Sequence, residues 1–153
     1  MILNKLVNKV VKRKADEKEL TFVSEKPDAL EMKVDFIGLK VFITTDKGKL
    51  VGEAQVMPPA MDHGERVCTL SIFKSSMQKH GVGRMMLSGV IAIAKADAAT
   101  KIEVLPVPLD LQIAEIPILT KDELYSIYEK MGFKFYDSKV EWSATIKKMY
   151  LKI

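Results

Sequence analysis

The sequence predicts an α+β / α/β fold on a mixed, mostly antiparallel central sheet, and three stretches predict it. Residues 39–57 hold two apolar or β-branched runs joined by Asp46-Lys47-Gly48, the pattern of a hairpin. Residues 67–105 read strand, glycine-containing turn, helix, strand, a crossover that places two parallel strands side by side. Residues 120–136 open on a helix-capping sequence and close on a glycine followed by another apolar run.

In chain order the first element is an amphipathic helix. Ile2, Leu3, Leu6, Val7, Val10 and Val11 form an apolar stripe with lysines and asparagines opposite, so 1–18 is expected to carry a basic helix packed on its own sheet or on a partner subunit. It lacks the aromatic anchors of a membrane-surface helix. Residues 20–23 and 30–36 are expected as short strands, followed by the hairpin strands 39–45 and 50–57. Pro58-Pro59 ends the last of these, and Asp62-His63-Gly64 reads as an exposed loop.

The run 67–73 is a buried strand that completes an antiparallel meander. Met86, Leu87, Val90, Ile91 and Ala94 then fall on one face of a helix over 83–96. Gly89 inside that helix costs about 0.5–1 kcal/mol against alanine, which close packing on the sheet must offset. Residues 101–105 form the parallel strand. Pro106, Pro108 and Pro117 make 106–119 an irregular loop. Thr120-Lys121-Asp122-Glu123 is a capping box for a helix over 121–131, and Gly132 fits the position that stops it. The final strands are 133–136 and 144–151.

The 153 residues suit one domain with a substantial core. A hydrophobic share of 48% beside a charged share of 29% places the chain among soluble globular proteins rather than disordered ones. No apolar run reaches membrane-spanning length and no signal peptide is evident, so a cytoplasmic protein is expected. Cys68, the single cysteine, excludes an intrachain disulfide, and its place in a core strand makes it a packing thiol. The formal charge of +4 suits a polyanionic ligand without selecting one. Nucleic-acid binding is disfavoured by the few aromatics and the lack of a recognised module.

The most informative segment is Gln78-Lys79-His80-Gly81-Val82-Gly83-Arg84, between strand and helix. The first N–H groups of a helix lack internal partners and the dipole there is positive, so strand, glycine turn and helix start make an anion site. The glycine spacing does not give a P-loop. A dinucleotide fingerprint would need a third glycine where Met86 stands, although Glu103 lies about 20 residues beyond the glycines, where that fold keeps its ribose acid. The loop from Lys74 to His80 is also long for that fold.

The pattern Q-x-x-G-x-G after a strand resembles the acyl-CoA loop of the GCN5-related N-acetyltransferase family, or GNAT. The later run Leu124-Tyr125-Ser126-Ile127-Tyr128-Glu129-Lys130-Met131-Gly132-Phe133 resembles the same family's closing helix and strand. Both motifs occur in the family's order, and the resemblance covers 66–137. It implies a GNAT-like acyl-CoA N-acyltransferase fold with helices on both faces of the sheet. It also implies transfer of an acetyl group from acetyl-CoA to an amine of a small molecule or protein, without a covalent enzyme intermediate.

The resemblance further implies cofactor contacts from the main chain of Ile72 and Phe73 and a diphosphate cradle from Gln78, Lys79, His80, Gly81, Val82, Gly83 and Arg84. It places the acid for the leaving thiolate at Tyr128, with Tyr125 as the fallback. Many family members form homodimers. The alternative is a GNAT-fold protein that senses CoA or serves as a structural or interaction module. Lys121 and Leu124 stand where many members carry asparagine and alanine, and the family's usual opening strand and two helices are replaced.

The general base stays open. Glu103 and Glu53 are candidates, each also readable as a solvated or paired carboxylate. His80 would sooner donate to phosphate, and His63 sits in a turn. The two histidines give no metal-site spacing, and the scheme needs no metal. Glu53, Glu65 and Glu115 suit a cationic acceptor without selecting one.

Overall fold

The computed structural model describes residues 19–23, 30–75, 81–106, 120–136 and 147–153. The expected helix over 1–18, most of the proline-rich loop, residues 144–146 of the last expected strand, Glu115, and Gln78, Lys79 and His80 lie outside these residues.

The strands are β1 (Glu19–Val23), β2 (Leu30–Asp35), β3 (Lys40–Thr45), β4 (Leu50–Val56), β5 (Ala60–Asp62), β6 (Glu65–Ser75), β7 (Lys101–Val104), β8 (Lys134–Phe135) and β9 (Met149–Lys152). The helices are α1 (Val82–Ala96), between β6 and β7, and α2 (Lys121–Lys130), between β7 and β8. One sheet runs β1-β2-β3-β4-β6-β7-β9-β8, with β5 paired to β6 beyond the end of β4. Among the described residues only β6 and β7 are parallel; every other pairing is antiparallel. The mixed, mostly antiparallel sheet is therefore as expected.

Alternation builds the core. Met32, Val34, Val41, Ile43, Cys68 and Ile102 are buried in the sheet beneath α1, whose Met86, Leu87, Val90 and Ala94 are equally buried. Two glycines set how closely α1 lies on the sheet. A Cβ on Gly89 would sit 2.9 Å from Val41 Cγ2 and 3.2 Å from Met32 Sδ. A Cβ on Gly52 of β4 would sit 2.8 Å from Val82 Cγ1 and 2.9 Å from Met86 Sδ. Forcing a side chain into such packing costs about 1–3 kcal/mol, more than the helix-interior penalty of Gly89, about 0.5–1 kcal/mol. Close packing wins, and Gly89 stays.

The structure corrects two expectations. The exposed segment Asp62-His63-Gly64 closes a hairpin whose first strand was not expected: β5 pairs with β6 from Ala60↔Val67 to Asp62↔Glu65. His63 and Gly64 take the positive φ values, 49° and 77°, that such two-residue turns require. β6 consequently starts at Glu65 and is longer than the apolar run suggested. The second correction is at the carboxyl-terminal end, where β8 spans only Lys134–Phe135.

Candidate functional site

Three elements converge on one place: the end of β6, the start of α1 and the end of α2. β6 is eleven residues long and β7 only four. Their pairing runs from Val67↔Lys101 to Leu70↔Val104 and stops. On its other side β6 stays paired to β4 as far as Gly52↔Ser75. Ser71 to Lys74 therefore have a strand on one side, and none on the β7 side among the described residues. Half of their main-chain donors and acceptors face that side, since alternate residues of a strand point opposite ways. An unpaired edge of this kind is a template for an extended ligand.

α1 begins beyond this edge. Its N-cap is Gly81, with φ 78° and no side-chain cap, and its first turn holds no acidic residue. The left-handed conformation suits glycine alone at low cost. Among the described residues a Cβ on Gly81 would meet nothing within 4 Å. One built on Gly83 would come to 3.8 Å of Met131 Sδ and 4.0 Å of Phe73 Cε1. That places the first turn of α1 against both the β6 edge and the end of α2.

α2 is fixed at both ends. Thr120 accepts from the Glu123 amide at 3.2 Å and Glu123 returns a bond to the Thr120 amide at 3.1 Å, the capping box read from the sequence. At the other end Gly132 takes φ 101°. The Gly132 N–H donates to the Glu129 carbonyl and the Phe133 N–H to the Tyr128 carbonyl, each at 3.0 Å. This is a Schellman stop, and the ring contact that accompanies it joins Phe133 to Tyr128 at 5.3 Å between centroids.

Tyr128 also meets Phe73 of β6 at 5.9 Å. The residue is 5% exposed. Among the described residues its hydroxyl has no hydrogen-bond partner. Burial pushes its phenol well above the usual tyrosine range, so it is protonated at neutral pH. Tyr125, the fallback, is committed: its hydroxyl accepts from the Lys147 amide at 2.9 Å.

Arg84 is exposed, and its Nη2 donates to the Lys130 carbonyl at 3.2 Å. The two base candidates are both paired. Glu53 meets Lys74 at 3.3 Å. Glu103 is buried, accepts a short bond from the Tyr136 hydroxyl and lies 4.0 Å from Lys148. Glu65 binds Lys152 at 2.7 Å and the Thr100 hydroxyl at 2.8 Å, with Lys101 3.5 Å away. These partners, Lys152 first, hold its carboxyl down at about 2. Cys68 is buried, and burial, with some help from Asp97, pushes its thiol up to about 11, as expected of a packing residue. His63 is exposed beside Asp62 at 3.1 Å. No group of three potential metal ligands occurs among the described residues.

The same architecture recurs among solved structures. The PaiA N-acetyltransferase of Thermoplasma acidophilum, in complex with coenzyme A, is 15% identical with a TM-score of 0.51, over 98% of this chain and 70% of its own. A chain of the NatC complex bound to Gag peptide and CoA is 12% identical with a TM-score of 0.53, over 75% of this chain and 71% of its own. A GNAT-family protein from Desulfovibrio desulfuricans is 19% identical with a TM-score of 0.51, over 74% of this chain and 67% of its own. This chain has the GNAT fold. No protein-family model and no curated protein matches its sequence.

Within the GNAT fold, the expected residues divide. Ile72, Phe73, Gly81, Val82, Gly83, Arg84 and Tyr128 lie on the three elements that meet at the end of β6; Gln78, Lys79 and His80 lie outside the described residues. Met131, Phe133 and the Lys130 carbonyl were not anticipated, although Gly132, as a helix stop, was the sequence signal for them. Lys101 was also missed. It is buried, with Nζ 5.0 Å from the Tyr136 ring centroid and 5.6 Å from that of Tyr150.

Proposed function

We propose that this chain is an N-acetyltransferase that moves an acetyl group from acetyl-CoA to a primary amine by direct attack. The carrying observation is the stretch Ser71–Lys74 of β6, which no described strand pairs on the β7 side and which leads toward an uncapped helix start and Tyr128. The pantetheine arm is an extended chain of amides, and the main chain about Ile72 and Phe73 binds it as it would an added strand. The amides from Gly81 to Arg84 hold the diphosphate, with Gln78, Lys79 and His80 completing the loop. A backbone N–H near Phe73 donates to the carbonyl oxygen as charge builds, a contribution of about 3 kcal/mol. Acetyl-CoA supplies the activated acyl group.

The protons are the harder part. Neutralising a lysine-like amine at pH 7 costs about 4–5 kcal/mol. Glu53 and Glu103 are each engaged by a neighbour, so a water relay or burial of the amine carries more of that cost in this reading. Tyr128 holds its proton and offers it to the leaving sulfur. A phenol with a raised pKa transfers a proton to a thiolate uphill, so its main effect is a hydrogen bond that strengthens as the sulfur becomes negative. The acceptor is a small-molecule or protein amine, and the setting is cytoplasmic.

The test pairs two measurements. Coenzyme A should raise the melting temperature, and acetyl-CoA with a pool of primary amines should release free thiol. A melting curve unmoved by saturating coenzyme A overturns the proposal. Stabilisation with no thiol release across the pool replaces the enzyme with a CoA-binding module.

A further inference from the structure

We infer that Arg84 is a positioning residue that ties the diphosphate-holding turn to Tyr128, not a side-chain ligand of the phosphate. The inference rests on the acetyltransferase reading above. At the end of α2 the carbonyls of Ile127, Tyr128 and Glu129 accept from the amides of Met131, Gly132 and Phe133. The Lys130 carbonyl is met instead by Arg84 Nη2 from another helix, at 3.2 Å. Helix carboxyl ends carry partial negative charge and favour a cation, whereas helix amino ends do not. Arg84 belongs to the first turn of α1, where its charge is disfavoured locally, and it reaches a helix end where that charge is favoured.

The bridge lands two residues from Tyr128, within the turn whose stop fixes the tyrosine ring against Phe133. Gly83, its neighbour, lies beside Met131 and Phe73. The start of α1 and the end of α2 therefore share one contact zone, and Arg84 supplies its polar link. Occupancy of the first-turn amides can then be felt at Tyr128 through a single guanidinium.

Glutamine keeps an N–H donor and drops the charge, which separates the two roles. Arg84→Ala should leave the coenzyme A dissociation constant and its salt dependence within twofold of the parent while thiol release falls about tenfold. Arg84→Gln should recover most of that rate. Adding Arg84→Ala to Tyr128→Phe should cost little further rate, because both changes act on one group. Exchange of the Met131 and Phe133 amides should quicken about fivefold in Arg84→Ala and less in Arg84→Gln, a readout that needs no activity.

Loss of coenzyme A affinity in both Arg84 variants, with a shallower salt dependence, makes Arg84 a phosphate ligand and overturns the inference. Rate losses that multiply with Tyr128→Phe, or unchanged exchange in Arg84→Ala, also overturn it. Failure of the parent protein to bind coenzyme A removes the acetyltransferase reading instead, and the exchange measurement still decides whether the link to α2 exists.

Discussion

Tyr128 shows how much one side chain can be asked to do in this arrangement. Its ring is packed between Phe73 and Phe133, its main chain is held by the helix stop, and its hydroxyl has no partner among the described residues. Removing only that oxygen should spare the packing. Tyr128→Phe is expected to slow thiol release about 100-fold, in the range of one hydrogen-bond donor lost from a developing charge, with coenzyme A affinity within twofold. Steady-state rates beside calorimetric binding check it, and a variant as fast as the parent removes Tyr128 from the chemistry. The place of this tyrosine near the end of the closing helix was legible because it belongs to a motif. Lys101 was not, because the rings of Tyr136, just after β8, and of Tyr150 on β9 lie beside it and no local pattern marks them.

Among elements, α1 and β6 matter most. The helix was legible from its apolar spacing, and Gly89 from the conflict between a glycine and a helix interior. β5 was missed because three residues after a double proline give no alternation to read, although His63-Gly64 held the turn signal. The gap beside β6 was not legible from spacing alone; it depends on β7 stopping at Val104 while β6 continues to Ser75. The first turn of α1 gives a test in which folding and binding move in opposite directions. A Cβ on Gly83 makes only ordinary contacts within the protein, and alanine favours a helix by up to about 1 kcal/mol over glycine. Gly83→Ala should therefore hold or raise the melting temperature and yet weaken coenzyme A binding, because a methyl group intrudes where the diphosphate approaches. Thermal melts beside calorimetric titration separate the two, and unchanged affinity counts against the cradle.

Across the whole molecule, Glu65 joins three parts of the sheet: it sits at the start of β6 and binds Lys101 of β7, Lys152 of β9 and Thr100 before β7. Its carboxyl is held at about 2, below the ordinary 4.5, so folding favours the ionised form. The stability it contributes is complete above about pH 4.5 and fades as the pH falls toward about 2. Glu65→Gln should melt below the parent at neutral pH, and that gap should shrink as the pH falls from 5 toward 2. Parallel melting curves across that range check it; a gap that stays constant with pH refutes the linkage.

The slot beside β6 has one more consequence. Unsatisfied strand edges invite other chains, and most sheets keep such edges at their outer rim. Among the described residues this edge lies inside the sheet instead, beginning where the pairing of Leu70 with Val104 ends. An edge placed there suits one thin extended chain better than the broad rim of a neighbour's sheet.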